Sequence, residues 1–252
     1  MDSTHEPFFL ENPAGGNLVI FIHGFMGSPH QFDRLAEAVL EQGYSAAALL
    51  LPGHGCTAGE FASGTFERWQ EHVNAEVERF SHDYNNIRLV GHSMGSLLAI
   101  NAAVKYPGIV RGIFTIACPF KLTILSSYAL KIRLKQLFSK KDDPVKAAYL
   151  SNSSINPSLS LMWHIFKPKA ELKALMAAAN NNLPRVSVPV TAVYSSSDEL
   201  TSIESLGIFS SGLSEAPFEQ VLLSDSLHSY FTENEFEIIR QSLLKAISRS
   251  YI

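Results

Sequence analysis

A chain of 252 residues with 46% hydrophobic and 17% charged side chains can bury a large core and reads as one soluble α/β domain carrying an insertion. Its net charge of −4 argues against nucleic acid as a partner, and no apolar run approaches the roughly 20 residues needed to span a bilayer. The two cysteines, Cys56 and Cys118, are too few for a disulfide framework and lack metal-ligand spacing. With no basic, apolar leader in MDSTHEPFFLENP, a cytoplasmic protein without stable membrane insertion is expected.

In chain order, residues 18–22 (LVIFI) form a continuous apolar strand of the kind buried on both faces of a parallel sheet. It leads into His23-Gly24-Phe25-Met26-Gly27-Ser28. Pro29 then opens a predicted helix with Phe32, Leu35, Ala36, Val39 and Leu40 on one face and Gly43 past its end. Residues 45–51 are the next strand, ending in Pro52-Gly53-His54-Gly55. Thr65 caps a helix whose stripe is Phe66, Trp69, Val73, Val77 and Phe80. A strand at 87–90 runs directly into Gly91-His92-Ser93-Met94-Gly95 and a helix over 96–106, stopped by Pro107. Residues 112–117 are another buried strand.

From residue 121 to about 185 the strand–helix alternation stops. Three or four short helices are predicted there, interrupted by the charged run Lys140-Lys141-Asp142-Asp143 and a Ser/Asn-rich loop. This divides the chain into core residues 1–120, a helical cap over 121–185 and core residues 186–252. An insertion at the strand-end rim is expected to wall an apolar pocket. The basic cluster Lys131, Arg133 and Lys135 within it reads as a solvated helix face rather than a membrane contact. Strands at 188–194 and 218–223 complete the sheet, followed by Ser197-Asp198-Glu199 and Ser224-Asp225-Ser226-Leu227-His228 respectively. The last helix opens at Thr232 with Glu235 as its predicted capping-box partner, and carries Phe236, Ile239, Leu243 and Ile247 inward. Such alternation predicts a mostly parallel, doubly wound sheet, with ligands at the carboxyl ends of the strands.

Strand, G-x-S-x-G and helix together are the context of a nucleophile elbow. The turn is sharp enough to strain the serine backbone, and side chains two residues either side would collide, hence Gly91 and Gly95. Ser93 needs a base to take its proton, and the elbow implies the order Ser, acid, His. Of nine histidines only His164 and His228 follow Ser93. His164 sits inside the insertion, whereas His228 follows the last strand, so His228 is the expected base. Asp198 is the expected acid because it lies at a neighbouring strand end. Glu199 is the weaker choice, and Asp225, on the loop of His228 itself, is the competitor. Substituting Glu199 or Asp225 by its amide is expected to change little. The oxyanion is expected to face the backbone N–H groups of Phe25 and Met94, whose side chains would line the substrate pocket. His23 and His54 are expected to fix loops rather than carry protons.

The segments His23-Gly24-Phe25, Gly53-His54-Gly55, Gly91-His92-Ser93-Met94-Gly95, Ser197-Asp198 and His228, in this order, resemble the α/β-hydrolase superfamily. Within it the chain is similar to the bacterial carboxylesterase and monoacylglycerol lipase group, across everything but the insertion. The resemblance implies the α/β-hydrolase fold, cleavage of short- to medium-chain acyl esters by a serine hydrolase, and no cofactor. It departs from the family pattern in two places. Few residues precede the first clear strand, so the usual N-terminal hairpin is expected to be short or missing, and Leu227 stands where the family usually has Gly. A thioesterase or carbon–carbon bond hydrolase would use the same triad, and a binding protein could reuse the fold without it.

Overall fold

The computed structural model describes residues 5–13, 15–123, 143–155 and 166–249. Seven strands form one sheet in the order β1-β3-β2-β4-β5-β6-β7. They are β1 (Phe8–Leu10), β2 (Gly16–Ile22), β3 (Ser45–Leu49), β4 (Tyr84–His92), β5 (Val110–Ile116), β6 (Val190–Ser195) and β7 (Phe218–Leu223). All neighbours are parallel except β1, which runs antiparallel along β3. The expected doubly wound sheet is therefore present. The edge strand β1 was not expected, because three residues between Pro7 and Pro13 are too short to show alternation; Phe9 holds it through its ring, 5.5 Å from that of Phe80.

The apolar run of β2 shows why the sheet is covered on both sides. Successive strand side chains point to opposite faces. Leu18, Ile20 and Ile22 pack with Trp69, Val73 and Val77 of α3 (Phe66–Phe80) and with Leu97 and Ile100 of α4 (Met94–Lys105). Val19 and Phe21 pack instead with Leu35 and Val39 of α1 (Asp33–Glu41) and with Ile239, Leu243 and Ile247 of the C-terminal helix (Glu233–Ser248). All five side chains from Leu18 to Ile22 have zero exposure, each worth about 1.5–3 kcal/mol of burial.

Several boundaries are set by the predicted signals. Thr65 Oγ1 accepts the Arg68 N–H, and Gly43, at φ 85°, ends α1 with Gly43 N–H on Leu40 O and Tyr44 N–H on Val39 O. Pro29 opens not the α-helix but a 3-10 turn, Pro29–Phe32, before it. A short helix, α2 (Ala58–Ala62), has a full capping box between Thr57 and Glu60. Between β5 and β6 the described residues form two helices, α5 (Pro144–Ser151) and α6 (Phe166–Asn182). Asp143, read in the sequence as part of a charged run, caps α5 by accepting Val145 and Lys146 N–H. His164 and the Lys131, Arg133 and Lys135 cluster lie outside the described residues. The remaining helices are α7 (Glu204–Gly212) and the C-terminal α8 (Glu233–Ser248).

Candidate active site

Parallel pairing brings the ends of β2 and β4 together, with Ile22 beside Gly91, and the ends of β6 and β7, with Ser195 beside Leu223. Four loops therefore meet at one rim. Between β4 and α4, Ser93 takes φ 51° and ψ −120°, a conformation that stores of order 1–3 kcal/mol. Its backbone is held by Ser93 N–H on Ile116 O (2.8 Å) and Ser96 N–H on Ser93 O (2.9 Å). The flanking glycines are required by space. A Cβ at Gly95 would stand 2.0 Å from Ile22 O, and one at Gly91 2.4 Å from Ser96 Cα.

The turn after β2 is fixed by two buried histidines. His23 Nδ1–H donates to Gly24 O (2.9 Å) while Nε2 accepts the Leu51 N–H (3.0 Å). His54 Nε2 accepts the Met26 N–H (3.2 Å). Each accepts through a ring nitrogen, so each must be neutral. Burial holds them so, lowering His23 to about 4 and His54 well below the ordinary value. Gly27 N–H returns to Gly24 O (2.9 Å). Met26 and Gly27 N–H of this turn are thus occupied, while Phe25 N–H, like that of Gly24, has no hydrogen-bond partner among the described residues, and Met94 N–H opens α4 directly after Ser93. The Phe25 ring lies against Phe61 (5.1 Å) and borders the cavity. The Met94 side chain differs from expectation. It is fully buried in the core, because the first turn of α4 points it under the sheet rim rather than into the cavity.

On the far side, His228 Nδ1–H donates to both oxygens of Asp198, at 2.9 and 3.1 Å. Asp198 Oδ1 also accepts the N–H groups of Leu200 and Thr201, at 2.8 Å each. Burial raises the Asp198 carboxyl, but the adjoining His228 and these N–H groups prevail and it lies below its ordinary range. Burial likewise lowers His228, and the charges of Asp198 and Glu199 reverse this, leaving it raised. The acceptor nitrogen Nε2 is then free of the Asp198 contact. No hydrogen bond joins it to Ser93 Oγ among the described residues; such contacts commonly tighten only with substrate bound. Asp225 is exposed, its carboxylate accepting, among the described residues, only from Ser224 Oγ.

The loop that carries His228 is gripped by residues whose roles were not visible in the sequence. Glu235, instead of returning to Thr232 N–H as in a capping box, accepts the N–H groups of Ser224, Asp225 and Ser226. His92 Nε2–H donates to His228 O (2.8 Å), its ring neutral because burial lowers it to about 3. Leu227 N–H, where a glycine was the family expectation, bonds Tyr230 O. Glu199 does not touch the imidazole; it accepts the His228 backbone N–H (3.1 Å).

Ser93, His228, Phe25 and Met26 border a cavity of about 630 Å³, whose outer wall includes Tyr149, Asn152, Lys169 and Leu172 of the insertion. Among the described residues no three His, Cys, Asp or Glu side chains converge as metal ligands, and no helix is long and apolar enough to cross a membrane.

Residues 15–235 match the Hydrolase_4 family, described as serine aminopeptidase, S33. A thermostable monoacylglycerol lipase of Bacillus sp. (strain H-257) is 27% identical over 90% of this chain and 87% of its own. Among solved structures, one from a study of the metagenome-derived lipolytic enzymes LipS and LipT superposes with a TM-score of 0.77 at 23% identity, over 97% of both chains. The Paleococcus ferrophilus monoacylglycerol lipase gives 0.72 at 18% identity, over 97% of this chain and 99% of that one. Because the family match runs from β2 into the last helix, the chain belongs to the Hydrolase_4 (serine aminopeptidase, S33) family of α/β-hydrolases, related to bacterial monoacylglycerol lipases and esterases.

Proposed function

We propose that the protein is a serine hydrolase that cleaves carboxylic esters of short to medium acyl chains through an acyl-enzyme on Ser93. The observation that carries this reading is the buried Asp198–His228 pair, whose histidine borders one cavity with a strained elbow serine. Asp198 holds the proton on Nδ1, so Nε2 is the acceptor. As Ser93 Oγ attacks the ester carbonyl carbon, its proton passes to Nε2. The carbonyl oxygen takes up negative charge facing Phe25 N–H and Met94 N–H, where losing one donor would cost about 3 kcal/mol of transition-state stabilisation. Collapse expels the alcohol, which leaves with the proton from His228. Water repeats the cycle to release the acid and restore Ser93. The insertion would act as a cap that excludes bulk water, and the apolar wall of Phe25, Leu122, Leu172 and Leu200 suits an acyl chain.

A second reading is favoured by Lys169 and Lys173, one turn apart on α6, which border the cavity while no Asp or Glu does among its described lining. They suit a substrate whose acyl or leaving group carries an anion, including a thioester on an anionic carrier. A panel of neutral p-nitrophenyl esters from acetate to laurate, beside an acid-terminated ester and an acyl thioester, tests both readings. Highest kcat/KM on neutral esters of up to about ten carbons supports the first. A preference for the anionic members that Lys169→Glu reverses would select the second.

A further inference from the structure

Glu199 directly follows Asp198 and is only 2% exposed, yet no Lys or Arg pairs with it among the described residues. A buried carboxylate without a cation is costly unless its oxygens are satisfied. Here they are, in two directions. Oε2 accepts the His228 backbone N–H, and Oε1 accepts the hydroxyl of Tyr149, on α5. Burial and Glu199 push the Tyr149 hydroxyl up, so it stays a donor. The residues after Tyr149 continue across the cavity. Asn152 Nδ2 donates to Ser229 O (3.1 Å), Ser153 bridges to Gly27, and Ser154 N–H donates to Met26 O (2.9 Å). One short segment, residues 149–154, is thus bonded on one side to the loop of His228 and on the other to the turn that presents Phe25 N–H.

We propose that Glu199 is a positioning residue which, through Tyr149, makes the placement of His228 depend on how residues 149–154 seat over the cavity. This rests on the reading of Ser93, His228 and Asp198 as a triad. A purely packed position would be filled at lower cost by an apolar side chain, and the charge has an effect that packing lacks. The groups facing His228 are Asp198 and Glu199 from the loop after β6 and His92 from the end of β4, with Tyr149 of α5 bonded to Glu199 and Glu235 of α8 bonded to the loop beneath. Among these, the two carboxylates favour the protonated imidazole. Neutralising Glu199 therefore moves the pH at which His228 loses its proton downward. Removing the Tyr149 hydroxyl takes away the bond that holds Oε1, so the carboxylate is freer to leave the His228 N–H, its charge acts less on the imidazole, and the limb moves the same way.

The test is a cycle of Glu199→Gln, Tyr149→Phe and the double variant, read as pH profiles of kcat/KM on a soluble p-nitrophenyl ester. Urea unfolding shows that each variant is folded. Each single change is expected to lower kcat/KM about tenfold and to shift the rising limb acid by about half a pH unit or more, with the double variant little worse than Glu199→Gln. Rising limbs that coincide with wild type, or losses that simply add, would overturn the proposal. If Glu199→Gln does not fold, Tyr149→Phe decides alone, and wild-type turnover with an unmoved limb rejects it. A fluorophosphonate probe that labels wild-type Ser93 separates failure of this proposal from failure of the triad reading.

Discussion

Asp198 and Asp225 are both close enough in sequence to serve His228, yet only Asp198 reaches its ring. Asp198→Asn is expected to leave a folded protein and lower kcat by about 10⁴-fold, since an amide neither stabilises the imidazolium nor fixes the tautomer. Asp225→Asn, on an exposed side chain, should stay within ~0.5 kcal/mol of wild type in stability and keep its turnover. Steady-state kinetics of the two near-isosteric variants checks this, and a crippled Asp225→Asn would transfer the acid to that loop. The same pair sets the pH profile. His228 must be neutral to accept a proton, and it is raised above its ordinary value of about 6.5. The rising limb of kcat/KM should therefore lie alkaline of 6.5, and Asp198→Asn, by leaving burial opposed by the Glu199 charge but no longer by Asp198, should bring it acid. The Asp198–His228 contact was legible because strand ends restrict which acid can meet the last histidine. The role of Glu199 was not, since its partners Tyr149 and His228 lie 50 and 29 positions away and no local pattern records such a meeting.

At the level of elements, the elbow is rigid because β4 and α4 close against β2. Gly95→Ala would drive a Cβ onto Ile22 O, so β2 and α4 would have to part. The variant is expected to lose ~3 kcal/mol or more, read as a lowered urea midpoint, or to fail to fold; wild-type stability would mean the two elements are less closely packed than described. Glycine spacing made this contact legible. The ends of β2, β4 and β5 were placed within a few residues for a related reason, since their apolar runs are long enough to reveal burial on both faces. Short elements without such runs, β1 and α2, escaped notice, although Thr57 and Glu60 spell the capping box of α2. At Thr232 the same spacing misled. Glu235 is buried at 6% exposure and the N–H groups of the His228 loop compete for it successfully.

For the molecule as a whole, the sheet serves to carry four loops to one rim while α1 and α8 cover one face and α3, α4 and α6 the other. The alternation of apolar strands and amphipathic helices made that architecture readable, whereas the insertion has no period that ties it to the sheet. On the reading proposed above, this rim delivers a nucleophile, Ser93, to an ester. The most direct measurement combines fluorophosphonate labelling, located by peptide mass spectrometry, with turnover of a p-nitrophenyl ester by Ser93→Ala. Label is expected on the peptide that holds Ser93, with none on the folded variant and turnover lowered by about 10⁶-fold. Label on another residue, or a purified Ser93→Ala that keeps more than about 1% of wild-type turnover where the loss of a nucleophile removes nearly all of it, would contradict that reading.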